Sequence, residues 1–230
     1  AEFEVLIDEE IARAQTFLDA GTSSAELYAT LTGKAQVKQA LGAETFELDM
    51  NQTPLRGVED APVVLTVYAD FQCPYCGRIR PGLDAVKARF GDRVAIAFKH
   101  FPLSFHKHAR PAARASICAR EQERFDAFHD ALFDRQVDLG PSLYAELANE
   151  LELDFNRFDA CVKSTRPDLK IDSDMEEGRR VGLRGTPTLL INGRMYDSQF
   201  GGWSPDAIGA VVAELLAAQA PAQGAAPAGR

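Results

Sequence analysis

No stretch of this 230-residue chain suits a membrane span. The longest apolar run, Ala61 to Ala69, falls far short of the roughly 20 residues that a bilayer core demands. The Ala-rich stretch from Ala207 to Ala220 is broken by Glu214 and is expected to form an amphipathic terminal helix. A soluble or peripheral protein is therefore expected. An excess of positive charge is also missing: 34 acidic residues outnumber 25 basic ones, for a formal net charge of −9. That balance argues against a general nucleic-acid binder, which needs a basic footprint, and against an anionic membrane surface as partner. Cysteines number only four. That is too few for a small disulfide scaffold, and the chain is too long to need one. Neither an initiator Met nor a charged-then-apolar leader precedes Ala1. A secretory precursor already trimmed and a segment cut for study, with Ala1-Glu2-Phe3 as a cloning remnant, are both open accounts. What is present is ordinary for a globular protein. Apolar residues make up 46% of the chain, enough to bury a core, and the length suggests one or two domains.

Residues 1–55 read as a helical extension. Ile7, Ile11, Ala14 and Leu18 recur at helical spacing, and Gly21 stops that helix. Ser23 and Glu26 fit a capping box that opens a second short helix through Leu31. Gly33 punctuates again, and a third helical piece is expected to reach Leu41. Turn-rich Asn51-Gln52-Thr53-Pro54 and Arg56-Gly57 mark the expected start of the main domain, 56–218. Asn51-Gln52-Thr53 also matches a glycosylation acceptor, a triplet that often arises by chance.

Val63 to Ala69 is β-branched and nearly all apolar, the pattern of a strand buried on both faces. A helix is expected from Pro74 to Phe90, ended by Gly91, with a second strand over Val94 to Phe98. Strand, helix, strand is the order of a βαβ unit. A helical insert over about 104–182 follows, with candidates at Ala112–Glu121, Phe125–Arg135, Ser142–Leu151, Phe155–Lys163 and Asp168–Val181. Gly140-Pro141 and Arg166-Pro167 break it up. Thr188 to Ile191 reads as a strand, Asn192-Gly193 as a two-residue hairpin turn, and Arg194 to Tyr196 as the returning strand. Ser204-Pro205 opens the last helix. The Pro/Ala/Gly-rich tail, 219–230, is expected to be disordered.

The chemistry lies in Cys73-Pro74-Tyr75-Cys76, at a strand-to-helix junction. A Cys at a helix N-terminus meets unpaired backbone N–H groups and the positive end of the helix dipole. Both favour thiolate, so its pKa falls below the free value of about 8.5. Residues three apart share a helix face, so Cys76 can attack a mixed disulfide formed at Cys73. Cys73 is thus expected to be the exposed nucleophile and Cys76 the resolving thiol. An inert disulfide and half of a metal site are the alternatives. A structural disulfide is rare at this spacing on such a turn, and a zinc site would want a second Cys/His pair. Gly185-Thr186-Pro187-Thr188 precedes an apolar strand, where Pro is tolerated because it has no N–H to give the ladder. The tight turn would suit a cis bond.

These residues resemble the thioredoxin superfamily, and its DsbA-like bacterial branch in particular. The resemblance rests on Phe71-Gln72-Cys73-Pro74-Tyr75-Cys76-Gly77, on Gly185-Thr186-Pro187-Thr188 and on the order of elements from about Ala61 to Leu216. It covers about two-thirds of the chain. It implies an α/β thioredoxin fold with an inserted helical domain and an N-terminal helical extension. Pro187 would be the family's cis-proline facing the active-site disulfide, and the Thr186 backbone would pair with a bound substrate chain, with Pro74 and Tyr75 beside them. The family's buried acid six positions before the first Cys has no counterpart, since Val67 stands there. Asp70 either substitutes for it in part or caps the turn. Pro-Tyr differs from the Pro-His of the strongly oxidising DsbA enzyme. With Thr before the cis-proline, it looks more like the isomerase DsbG and the suppressor-of-copper-sensitivity protein ScsC.

The implied protein is a periplasmic or otherwise extracytoplasmic bacterial thiol–disulfide oxidoreductase, with oxidase and isomerase both open. It would act on unfolded or misoxidised proteins, be recharged by a redox partner protein, and need no cofactor because the disulfide is itself the reagent. A copper-handling module using Cys73, Cys76 and a loop His, and a cytosolic glutaredoxin-like reductase, are the alternatives. In an oxidising compartment Cys118 and Cys161 would pair, closing a long loop worth roughly 4 kcal/mol; two buried free thiols are the other option. His100, His106 and His108 bracket one loop and are expected at the surface or as caps. Arg78 and Arg80 are either solvated or lend positive potential to Cys73. Trp203 is expected in the core or at a hinge. Residues 1–55 either pack on the main domain or build a homo-oligomer.

Overall fold

Val63–Ala69 owes its place to its composition. Apolar and β-branched, it is an inner strand of a six-stranded sheet in the computed structural model. The structure describes residues 11, 12, 14–22 and 40–219, the side chains of 200 and 201 excepted. Two units are distinguished, 1–39 and 40–230. In the first, residues 14–19 are helical. The helix stops at Gly21, whose φ of 93° favours glycine. Thr22 N–H donates to Phe17 O at 3.0 Å and Gly21 N–H to Leu18 O at 3.0 Å, the two bonds of a Schellman end. The capping box at Ser23 and the helical pieces up to residue 39 lie outside the described residues, as does the tail from 220 on.

The second unit starts with β1 (Leu41–Thr45) and the two-residue β2 (Leu55–Arg56). Then come β3 (Val63–Ala69), α1 (Pro74–Phe90) and β4 (Val94–His100). Five helices follow: α2 (Ala109–Arg120), α3 (Phe125–Asp134), α4 (Pro141–Glu150), α5 (Phe155–Lys163) and α6 (Arg166–Arg180). The chain closes with β5 (Thr188–Ile191), β6 (Arg194–Tyr196), a four-residue α7 (Ser198–Gly201) and α8 (Pro205–Gln219). The sheet order is β1-β6-β5-β3-β4-β2. β3 and β4 run parallel, from Val63 opposite Val94 to Ala69 opposite His100, with α1 as the crossover. The other neighbours are antiparallel. This is the expected thioredoxin sheet, with a helical insert between β4 and β5.

Two expectations need correction. Leu41 was expected at the end of a helix, with residues up to 55 in the extension. Instead Leu41–Thr45 pairs with β6, and the second unit starts at Ala40. The strand escapes notice because only Leu41 is buried along it. Its bonds come from the open edge of β6, not from an apolar pattern of its own. The supposed breakers Gly140-Pro141 and Arg166-Pro167 are helix starts: Pro occupies the first turn of α4 and of α6, where its missing N–H has no helical partner to lose.

The insert is fastened in two ways. Cys118 on α2 and Cys161 on α5 are joined by a disulfide, with Cα atoms 5.7 Å apart. A buried polar cluster ties α6 to the sheet. Lys99 Nζ on β4 lies 2.5 Å from Glu177 Oε2 and 3.5 Å from Asp174 Oδ1, and donates to Asp49 O at 2.5 Å. Tyr68 Oη donates to Glu177 Oε2 at 2.5 Å. Buried charge needs such pairing.

Candidate active site

β3 ends at Ala69, and the chain turns through Asp70 before α1 starts at Pro74. Asp70 explains the turn. Its buried carboxylate accepts Gln72 N–H at 2.7 Å and Leu103 N–H at 2.8 Å, and lies 2.7 Å from His106 Nδ1. It therefore caps the turn and anchors the loop after β4. Cys73 N–H donates to Asp70 O at 3.0 Å, placing Cys73 at the N-cap of α1 with extended backbone (φ −74°, ψ 117°).

This position sets the chemistry of both thiols. The Cys73 thiol is pulled down to about 5, foremost by a hydrogen bond from the Cys76 thiol. Burial opposes that shift, while the Cys76 and Tyr75 N–H groups and the Thr186 side chain reinforce it. Burial, and then the bond to Cys73, push the Cys76 thiol far above the usual thiol range. One sulfur is thus poised as thiolate and the other held as thiol.

Cys73 is not exposed as expected: only 3% of it is accessible. Gln136, in the short turn after α3, donates from Nε2 to Phe71 O at 2.6 Å and Cys73 O at 2.9 Å, closing one side. Thr186 closes another, its carbonyl 3.4 Å from Cys73 Sγ. The Thr186-Pro187 peptide is cis, and the Thr186 hydroxyl is buried with no settled partner, free to donate to a thiolate. Of the residues proposed to meet substrate, Pro74 and Tyr75 are exposed, Tyr75 at 60%.

The nearby charges go elsewhere. Arg78 lies over the Tyr75 ring at 5.1 Å. Arg80 pairs with Asp130 at 3.4 Å and with Asp134 on α3. Neither is among the main groups that lower the Cys73 thiol. The loop histidines do not converge. His106 is held by Asp70, and the His108 N–H donates to Gln72 Oε1 at 2.6 Å. His100, expected at the surface or as a cap, is 1% exposed among Phe71, Phe98 and Phe125. Burial pushes its imidazole down to about 3, and both ring nitrogens lack partners. Among the described residues no group of three His, Cys, Asp or Glu is placed to hold a metal, and no helix is long and apolar enough to cross a membrane. Trp203 packs against the core beside Tyr196, ring centroids 6.1 Å apart. Sequence reasoning missed Gln136 and His129, which the insert brings in from far along the chain with no motif to announce them.

A family model described as Thioredoxin matches residues 49–204. Na(+)/H(+) antiporter NhaA 1 of Mycolicibacterium gilvum is 37% identical over 152 residues, covering 65% of this chain and 25% of that protein. The chain thus spans about a quarter of the length of the curated relatives it matches. BdbD from Bacillus subtilis superposes with a TM-score of 0.67 at 22% identity, covering 75% of this chain and 97% of that one. For DsbA2 of Pseudomonas aeruginosa the TM-score is 0.60 at 27% identity, with 73% and 96% covered.

Proposed function

The chain belongs to the thioredoxin family, and on that premise we propose that it is a thiol–disulfide oxidoreductase acting on the cysteines of exported proteins. The observation that carries this is the divided pair: a Cys73 thiolate stabilised by the Cys76 thiol at the head of α1, with Thr186 and Pro187 beside it. In the reducing direction Cys73 attacks a substrate disulfide and forms a mixed disulfide. Cys76 then displaces the substrate thiolate and closes the Cys73–Cys76 bond. Oxidation of a substrate dithiol runs the same steps backwards. Stabilising the Cys73 thiolate stabilises the reduced pair, which makes its disulfide a better oxidant. The Cys118–Cys161 disulfide supports an extracytoplasmic site of action, where such bonds persist. Pro74, Tyr75, Thr186 and Pro187 are the proposed substrate contacts.

Oxidase and isomerase separate in one comparison, the reactivation of reduced and of scrambled ribonuclease. Activity on reduced enzyme alone assigns an oxidase, and activity on scrambled enzyme alone an isomerase. Activity on neither overturns the reading. The antiporter name borne by the curated relatives describes proteins some four times the matched length, and the redox pair argues for the matched quarter as a redox module.

A further inference from the structure

Cys76 must lose or regain a proton in every redox cycle of the function proposed above. It is 2% exposed, so bulk water is a poor proton acceptor for it, and Val67 on the adjoining strand offers none. A cavity of about 40 Å³ lies against Cys76 and Val67. A water needs roughly 10–15 Å³ of such space and at least two polar partners. His129 and Arg80 also line the cavity. Arg80 Nε is buried with no hydrogen-bond partner. His129 Nδ1 lies 2.8 Å from Asp130 Oδ1. Asp130 accepts, which puts the hydrogen on Nδ1 and leaves the lone pair on Nε2.

We propose that His129 takes the proton from Cys76, and returns it, through a water in this cavity that Arg80 Nε–H orients. This rests on the redox reading above and adds a positioning residue to it. In the mixed disulfide, Cys76 S–H passes its proton through the water to His129 Nε2. The Cys76 sulfur electron pair forms the bond to Cys73 Sγ while the Cys73–substrate S–S bond breaks. That bonding pair leaves on the substrate sulfur as thiolate, so Cys76 is oxidised and the substrate sulfur reduced. The imidazolium then gives its proton to solvent. The groups facing His129 suit the task. Asp130 and Asp126 on its own helix and Arg56 on β2 carry the charges around it, with the neutral His100 on β4 beside it and Arg80 and Asp84 on α1 across the cavity. Phe71, Phe98, Phe125 and Phe133 enclose its ring. Burial holds His129 below the ordinary imidazole range against the pull of Asp130, so it is neutral, and able to accept, at neutral pH.

The test mixes the reduced full chain with one equivalent of dithiobis(nitrobenzoate) and follows thionitrobenzoate release by stopped flow. The first release reports attack by Cys73, and the second reports resolution by Cys76. In His129→Phe the first phase stays within about twofold while the second slows about a hundredfold, the usual size of a lost general base. Adding Val67→Asp, which sets a carboxylate on the same cavity, restores at least about tenfold of that loss. A second phase unchanged in His129→Phe, or both phases slowed equally, overturns the proposal. The unaltered protein gives an independent reading. Its second phase should show a solvent deuterium isotope effect and one inflection below pH 6.5, and a second phase indifferent to both overturns the proposal. Absence of the first phase overturns the redox reading itself.

Discussion

The molecule holds two pairs of cysteines, and both are buried. Their surroundings separate them. Cys118 and Cys161 join two helices of the insert, α2 and α5, inside an apolar cluster. Each lies in the last turn of its helix, away from the N–H groups of a helix N-terminus. Cys73 and Cys76 sit in the first turn of one helix, where backbone N–H groups and the Thr186 hydroxyl point at a sulfur. Burial alone does not decide whether a sulfur is inert. The unpaired donors around it do, because they stabilise one charge state against the other.

The sharpest way to break this contrast is substitution in each pair. Cys73→Ser should lower insulin-disulfide reduction by at least about a thousandfold, since no nucleophile replaces it. Removing both Cys118 and Cys161 by alanine should leave the turnover rate unchanged within about twofold, yet cost roughly 4 kcal/mol in guanidinium unfolding. Equal loss of turnover in the two variants would collapse the distinction.

A second measurement sharpens it through pH. Because the folded Cys73 pKa falls from 9.0 to about 5, alkylation of the reduced protein should climb through pH 5 and level off well below pH 7. An ordinary thiol is still climbing there. The sign for stability follows from the same depression. The reduced form gains stability as pH rises from about 5 to 9 and loses it as pH falls through 5, while the oxidised form, with no thiol to ionise, lacks this term. An alkylation midpoint above pH 7 would remove the thiolate from the account.

The smallest expected effect concerns the insert's contact with the sheet. His100 is held neutral, its pKa lowered from 6.5 to about 3. Between those values the unfolded chain binds the proton and the native state does not, so stability falls as pH drops through that window. His100→Phe keeps a ring in the cluster and should flatten the fall in melting temperature between pH 6 and pH 4. An unchanged slope would assign the acid sensitivity to other groups.

Much of the fold was legible along the chain. β3, α1, β5 and β6 have the limits expected of them, because each is bounded by a Gly, a Pro or the Asn192-Gly193 turn, where both residues hold positive φ; α5 does too, opened by the Asp154 cap that accepts Arg157 N–H. β1 was not legible, since an edge strand with one buried residue carries no periodic signal. At the site, the Cys-Pro-Tyr-Cys turn and the Thr186-Pro187 pair could be picked out by residue type. The burial of Cys73 could not, because Gln136, which covers one side of it, is distant in sequence and belongs to no motif, and how closely Thr186 approaches is set only by the fold. His100 was misjudged because its loop looked polar while its strand position faces three phenylalanines.

The amino-acid order alone determined the local facts: where helices start and stop, which strands are buried, and which two sulfurs stand three residues apart at a helix head. Those depend on backbone dihedrals and apolar spacing, which neighbours along the chain dictate. Tertiary structure decided the rest. It brought Thr186 to Cys73 and Gln136 over the active-site turn, and it opened a cavity between Cys76 and His129. Burial and charge proximity depend on distance in space, and only the folded chain sets that.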